Sequence, residues 1–126
     1  MGARILLVED HTESLELMAY LLTAFGHAVF TARNGEAGLS LAERERPDLV
    51  LCDVNLPGID GCEMARRFKA DSVLRDTPLV AVTAFAMVGD RERILATGFD
   101  GYLPKPIEPE AFVSQVEAFL SGRRKD

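Results

Sequence analysis

The sequence predicts an α/β fold: a doubly wound (βα)5 domain with five parallel strands and helices on both faces of one sheet. Three observations predict it. Short apolar runs alternate five times with stretches of helical periodicity. The runs Ile5–Val8, Leu49–Cys52 and Leu79–Val82 are apolar throughout rather than alternating, as strands covered on both faces should be. Polar residues with chemistry to offer follow directly on those runs: Glu9 and Asp10, Asp53, and Thr83.

Each element has a local reason. Ile5–Val8 is the first strand. Leu15, Met18, Ala19, Leu22 and Phe25 then recur at helical spacing, and Gly26 closes that helix. Ala28–Ala32 is a second, short strand. A weaker helix spans Gly35–Glu45 and cannot pass Pro47. Leu49–Cys52 is the third strand, ending at Asp53. Cys62–Ala70 is helical, with Met64 and Phe68 one turn apart. Leu79–Val82 is the fourth strand, ending at Thr83. Asp90–Thr97 is a short, highly charged helix with Asp90 as its expected N-cap. Tyr102-Leu103 is a very short fifth strand. Phe112, Val113, Val116, Phe119 and Leu120 mark the last amphipathic helix.

Composition bounds the function. The 126 residues match one domain, and 48% hydrophobic content supplies a core without disulfides or a structural metal. A net charge of -6 argues against binding nucleic-acid phosphates, which calls for a basic patch. The first apolar run is too short for a secretion signal, and no window is long enough to span a membrane. Leu6 stands where a myristoylation motif after Gly2 needs Ser or Thr. Cys52 and Cys62 lack metal-ligand spacing, and Cys52 reads as a small buried hydrophobe. A cytoplasmic, reduced protein is the expectation.

In an open α/β sheet, ligands bind beyond the carboxyl ends of the strands. Glu9, Asp10, Asp53, Thr83 and Lys105 should therefore converge on one edge. Crowded carboxylates repel unless a cation intervenes. Hard oxygen ligands without His or Cys favour Mg²⁺. A carboxylate beside such a cation can attack a phosphoryl group and form an aspartyl phosphate. Asp53, standing singly after a central strand, is the best nucleophile. Lys105 can neutralise the transferring group and Thr83 can donate a hydrogen bond to it.

Four motifs carry a family resemblance: Val8-Glu9-Asp10, Asp53–Gly61, Val82-Thr83-Ala84 and Tyr102–Pro106. In this order on a (βα)5 pattern, they resemble the receiver domain of two-component response regulators over roughly residues 4–121. The resemblance implies the CheY-like, flavodoxin-like strand order 2-1-3-4-5. It implies a phosphorelay role in which Asp53 accepts phosphate from a phosphohistidine on a sensor histidine kinase or histidine phosphotransfer protein. It implies Mg²⁺ (or Mn²⁺) held by Asp10, Asp53 and the backbone carbonyl of Asn55, with Glu9 acting directly or through water. Thr83 and Lys105 would bind the phosphoryl oxygens, Tyr102 would be the switch aromatic coupled to Thr83, and Lys105-Pro106 would be cis. Such a domain is not an enzyme with a separate substrate; it phosphorylates and dephosphorylates itself at Asp53 and acts on a downstream protein target. The stretch Ala81–Met87 with Gly89-Asp90 looks like stand-alone receivers of bacterial cell polarity and division, and receivers of hybrid kinases share it.

On this resemblance the receiver fills 1–126, with 122–126 as a short basic tail. It is either a stand-alone regulator or a piece of a hybrid kinase or multidomain regulator. Two further readings compete. A phosphorylation-independent binding module would tend to lose one of the five site residues. A flavin binder wants a phosphate-binding loop after the first strand, where Glu9-Asp10-His11 stands instead. Phe85, Met87 and Val88 are either core packing or an apolar partner surface. His11 and His27 read as partly exposed loop histidines.

Overall fold

The computed structural model describes residues 2–84 and 88–124. Ten elements follow in strict alternation: β1 (Arg4–Val8), α1 (Thr12–Ala24), β2 (Ala28–Ala32), α2 (Gly35–Glu45), β3 (Leu49–Asp53), α3 (Gly61–Ala70), β4 (Leu79–Thr83), α4 (Val88–Ala96), β5 (Gly101–Pro104) and α5 (Pro109–Arg124). The strands form one sheet in the order β2-β1-β3-β4-β5, and every pair is parallel. Fold class and strand order agree with the expectation.

The unbroken apolar runs are explained by where their side chains go. Successive strand residues point to opposite faces. Leu6, Val8, Val50, Cys52 and Ala81 pack with Ala42, Met64, Phe68 and Ile94 from α2, α3 and α4. Ile5, Leu7, Leu49, Leu51, Val80 and Val82 pack on the other face with Leu15, Met18, Leu22, Phe112 and Val116 from α1 and α5. Two apolar clusters thus sandwich the sheet, and a polar residue on either face would be buried.

Helix ends follow their sequence signals. Asn34 caps α2 by accepting the Ala37 N–H at 2.8 Å, and Asp60 caps α3 by accepting the Glu63 N–H at 2.8 Å. Gly26 turns the chain after α1 with φ of 89°, a conformation that L side chains resist. Pro109 opens α5, where a missing N–H costs nothing.

Four local expectations are corrected. The fourth helix begins at Val88, so Asp90 lies inside its first turn rather than capping it. The fifth strand has four residues, and Gly101 opens it because a Cβ there would sit 2.4 Å from Phe119 Cε1 of α5. The last helix runs on through Arg124, into the stretch expected as a tail. His27 is buried, not partly exposed: its Nδ1 accepts the Ala3 N–H at 3.0 Å and its Nε2 lies 2.9 Å from Glu117 Oε2. Phe85 and Met87, expected at a partner surface, lie outside the described residues, and Val88 enters only as the first backbone position of α4. Among the described residues no helix is long and apolar enough to cross a membrane.

Candidate functional site

Parallel strands deliver their carboxyl ends to one edge, so residues far apart in sequence meet there. Asp53 closes β3 and Thr83 closes β4; Glu9 and Asp10 follow β1, and Lys105 follows β5. The register sets Val8 beside Cys52, Asp53 beside Val82, and Thr83 beside Pro104. The Lys105 N–H donates to the Thr83 carbonyl at 2.8 Å, tying the last loop to β4. The Lys105-Pro106 peptide is cis, as expected.

Glu9, Asp10 and Asp53 each bring a carboxylate oxygen to within 4.8 Å of the others. Lys105 spans two of these acids: its Nζ lies 2.7 Å from Glu9 Oε1 and 3.0 Å from Asp53 Oδ2. The second oxygen of each acid is held by backbone. Glu9 Oε2 accepts the His11 N–H at 3.1 Å, and Asp53 Oδ1 accepts the Asn55 N–H at 3.0 Å. Glu9 and Thr83 are 1% exposed and Asp53 is 7% exposed, whereas Asp10 faces solvent.

Burial shapes the electrostatics. It raises the Glu9 carboxyl above its usual range, and the adjoining Asp53 raises it further, against a smaller opposing pull from Lys105. Burial opposes the charge of Lys105, yet Glu9 and Asp53 outweigh it together and hold the ammonium above its ordinary value. The Cys52 thiol, fully buried one residue before Asp53, is pushed well up by burial and stays an uncharged core residue.

The donor set fits a hard dication. It is three carboxylates with no imidazole or thiol among them. Glu9 Oε1 is buried, and its one close partner is the Lys105 ammonium at 2.7 Å. An oxygen so placed is open to a metal ion.

The remaining expected residues fall around this centre. Tyr102, on β5, is half-buried against the α2–α3–α4 face of the core, with the Arg91 guanidinium 5.3 Å from its ring centroid. Asn55 is held one turn beyond Asp53 by the bond already described. A cavity of about 480 Å³ opens beside Lys105, lined by Leu17, Ala84, Pro106, Ile107 and the His11 and Ser14 side chains at the start of α1. Sequence reasoning passed over Arg33, whose Nη2 donates to the Asp10 carbonyl at 2.9 Å and to Thr12 Oγ1 at 2.6 Å. A lone arginine after a strand carries no local signal when its partners lie more than twenty residues upstream.

A sheet of this order with three acids, a threonine and a lysine on its carboxyl edge defines a signalling receiver of the phosphoacceptor class. The chain belongs to the response regulator receiver domain family, whose family model matches residues 5–117. It is 40% identical over 120 residues to the polar-differentiation response regulator DivK of Brucella anthropi, spanning 95% of this chain and 98% of that one. The receiver domain of the Pseudomonas aeruginosa sensor histidine kinase PA1611, solved with magnesium in its active site cleft, matches with a TM-score of 0.88 at 33% identity, covering 96% of this chain and 99% of that chain. Vibrio cholerae chemotaxis regulator CheY4 matches with a TM-score of 0.90 at 27% identity, covering 94% of this chain and 99% of that chain. The expected likeness to stand-alone cell-polarity receivers thus has its counterpart in DivK.

Proposed function

We propose that Asp53 is the phosphoacceptor of a histidine–aspartate phosphorelay and that its modification switches a protein-binding surface. The observation that carries this reading is the Asp53 carboxylate itself: single at a strand end, 3.0 Å from Lys105, and within 4.8 Å of two further acids. An Asp53 oxygen attacks phosphorus, the phosphorus–nitrogen bond of a phosphohistidine breaks, and the imidazole leaves carrying a proton from solvent.

Glu9, Asp10 and Asp53, with the carbonyl of Asn55, would hold Mg²⁺ or Mn²⁺, which supplies charge neutralisation to the phosphoryl oxygens. Lys105 leaves its ion pairs for a phosphoryl oxygen, and the Thr83 hydroxyl donates to another. The new charge is about -1.5 to -2 at neutral pH. Thr83, which closes β4, and Tyr102, on the adjoining β5, relay it. Autophosphorylation and autodephosphorylation at Asp53 are the only covalent chemistry. Partners are a cytoplasmic sensor histidine kinase or phosphotransfer protein and a downstream protein.

The test is beryllofluoride or a small phosphoryl donor with Mg²⁺, read by intact mass and by NMR at Thr83 and Tyr102. The wild type gains one phosphoryl group and both resonances move; Asp53→Asn does neither. An Asp53→Asn protein that responds like the wild type ends the reading.

A further inference from the structure

We propose that Arg33 is a positioning residue for Asp10 and thereby sets how tightly the carboxylate site takes Mg²⁺. This rests on the reading of Glu9, Asp10 and Asp53 as the cation site. The three acids are anchored unequally. Asp53 is held by the Asn55 N–H and Lys105, and Glu9 by the His11 N–H and Lys105. The Asp10 carboxylate faces solvent and has no bonded partner among the described residues. Its place is therefore set by its backbone.

That backbone lies between two ladders. β1 ends at Val8, and the Glu9 N–H makes the last bond toward β2, donating to the Ala32 carbonyl at 3.0 Å. The α1 ladder opens one residue after Asp10, where the His11 carbonyl accepts the Leu15 N–H at 3.0 Å. The Asp10 carbonyl needs a donor from elsewhere, and Arg33 supplies it. One guanidinium nitrogen grips the Asp10 carbonyl at 2.9 Å and the hydroxyl of Thr12, the first residue of α1, at 2.6 Å. Arg33 is itself well placed to pull: it follows Ala32, in register with Val8, and precedes Asn34, which caps α2. It straps the β1–α1 loop to the β2–α2 loop at Asp10.

Charge and position make opposite predictions. A guanidinium near a dication site repels the dication, so removing a mere charge strengthens binding. Removing a strap frees the loop and weakens binding, because the ordering of Asp10 then opposes metal capture.

The experiment is calorimetric titration of the full chain with MgCl₂ at fixed ionic strength, with the metal-free unfolding midpoint measured for each variant. For Arg33→Met the dissociation constant rises about three- to tenfold, the range of one or two lost exposed hydrogen bonds. Arg33→Lys falls between Met and the wild type. Thr12→Val, which removes one of the two anchors, shifts affinity in the same direction by less. The metal-free midpoint of Arg33→Met falls by no more than two exposed hydrogen bonds allow, and its rate of phosphorylation recovers at saturating Mg²⁺. Unchanged or tighter Mg²⁺ binding by Arg33→Met overturns the proposal. A wild type that takes up no Mg²⁺ overturns the cation-site reading as well, and the wild-type trace alone distinguishes that outcome.

Discussion

Gly61 offers a direct test of how the fold holds Asp53. It opens α3, and its N–H donates to the Val54 carbonyl at 2.8 Å. A Cβ at this position would lie 2.6 Å from the Asp53 carbonyl oxygen and 2.6 Å from Val54 Cα. Ordinary contact begins at 3.4 Å, so Gly61→Ala creates an overlap of about 0.8 Å against backbone that has no rotamer to change. Overpacking of this kind costs about 1–3 kcal/mol. Alanine recovers about 0.8–1 kcal/mol over glycine within a helix, and less at its first position. The net expectation is a loss of about 0.5–2 kcal/mol in urea unfolding. The strained segment carries Asp53, so phosphorylation at saturating Mg²⁺ should slow by about tenfold or more, as misplacements near 1 Å do. Gly26→Ala is the control: no atom lies within 4 Å of its Cβ, but its φ of 89° is strained for alanine, so stability falls while the rate holds. A Gly61→Ala protein that matches the wild type in both stability and rate would refute the close approach and the coupling drawn from it.

Two further outcomes are expected. His27→Ala strips the Ala3 N–H of its acceptor and Glu117 of its partner, and should cost about 1–3 kcal/mol in urea unfolding. Phosphorylation should be untouched, because His27 precedes β2 at the opposite edge of the sheet; a loss below about 0.5 kcal/mol would remove its structural role. Glu63 is held below its ordinary 4.5, chiefly by the Arg67 hydrogen bond and then by Arg66. A depressed carboxyl stabilises fully above its unfolded value and loses that contribution as pH falls through the folded value. The gap in thermal midpoint between the wild type and Glu63→Gln should therefore be present above pH 4.5 and close in stronger acid; a pH-independent gap would contradict the ion pairs.

The fold was legible where burial acts on every residue of a segment. Ile5–Val8, Leu49–Cys52 and Leu79–Val82 have no polar alternation because helices cover both faces, and that can be read without knowing a single contact. Legibility failed where the deciding partner was distant. His27 carries no burial signal of its own; Ala3 and Glu117, 24 and 90 residues away, bury it. The fifth strand read as only Tyr102-Leu103 because Gly101 weakens the pattern, yet glycine stands there to admit Phe119. Asp90 satisfied a capping rule, but the helix starts two residues earlier, at Val88.

The site was legible for a topological reason. A parallel sheet collects strand ends, so residue type at each end names the chemistry even when separations are irregular. What the sequence could not express is how the charges balance. Three ionised carboxylates and one ammonium leave a charge of about -2 at the edge, a deficit that one dication cancels. The glutamate at position 9 makes that balance workable in the unphosphorylated protein. One of its oxygens is pinned by the His11 N–H, while the other meets Lys105. Lys105 thus sits between two acids, 3.0 Å from Asp53 Oδ2 and 2.7 Å from Glu9 Oε1. On the proposed phosphorylation of Asp53, the ammonium would have a new anion to follow, and its 2.7 Å contact with Glu9 would be the one it leaves. Glu9 has a backbone anchor of its own in the His11 N–H, so its place does not depend on where that ammonium goes.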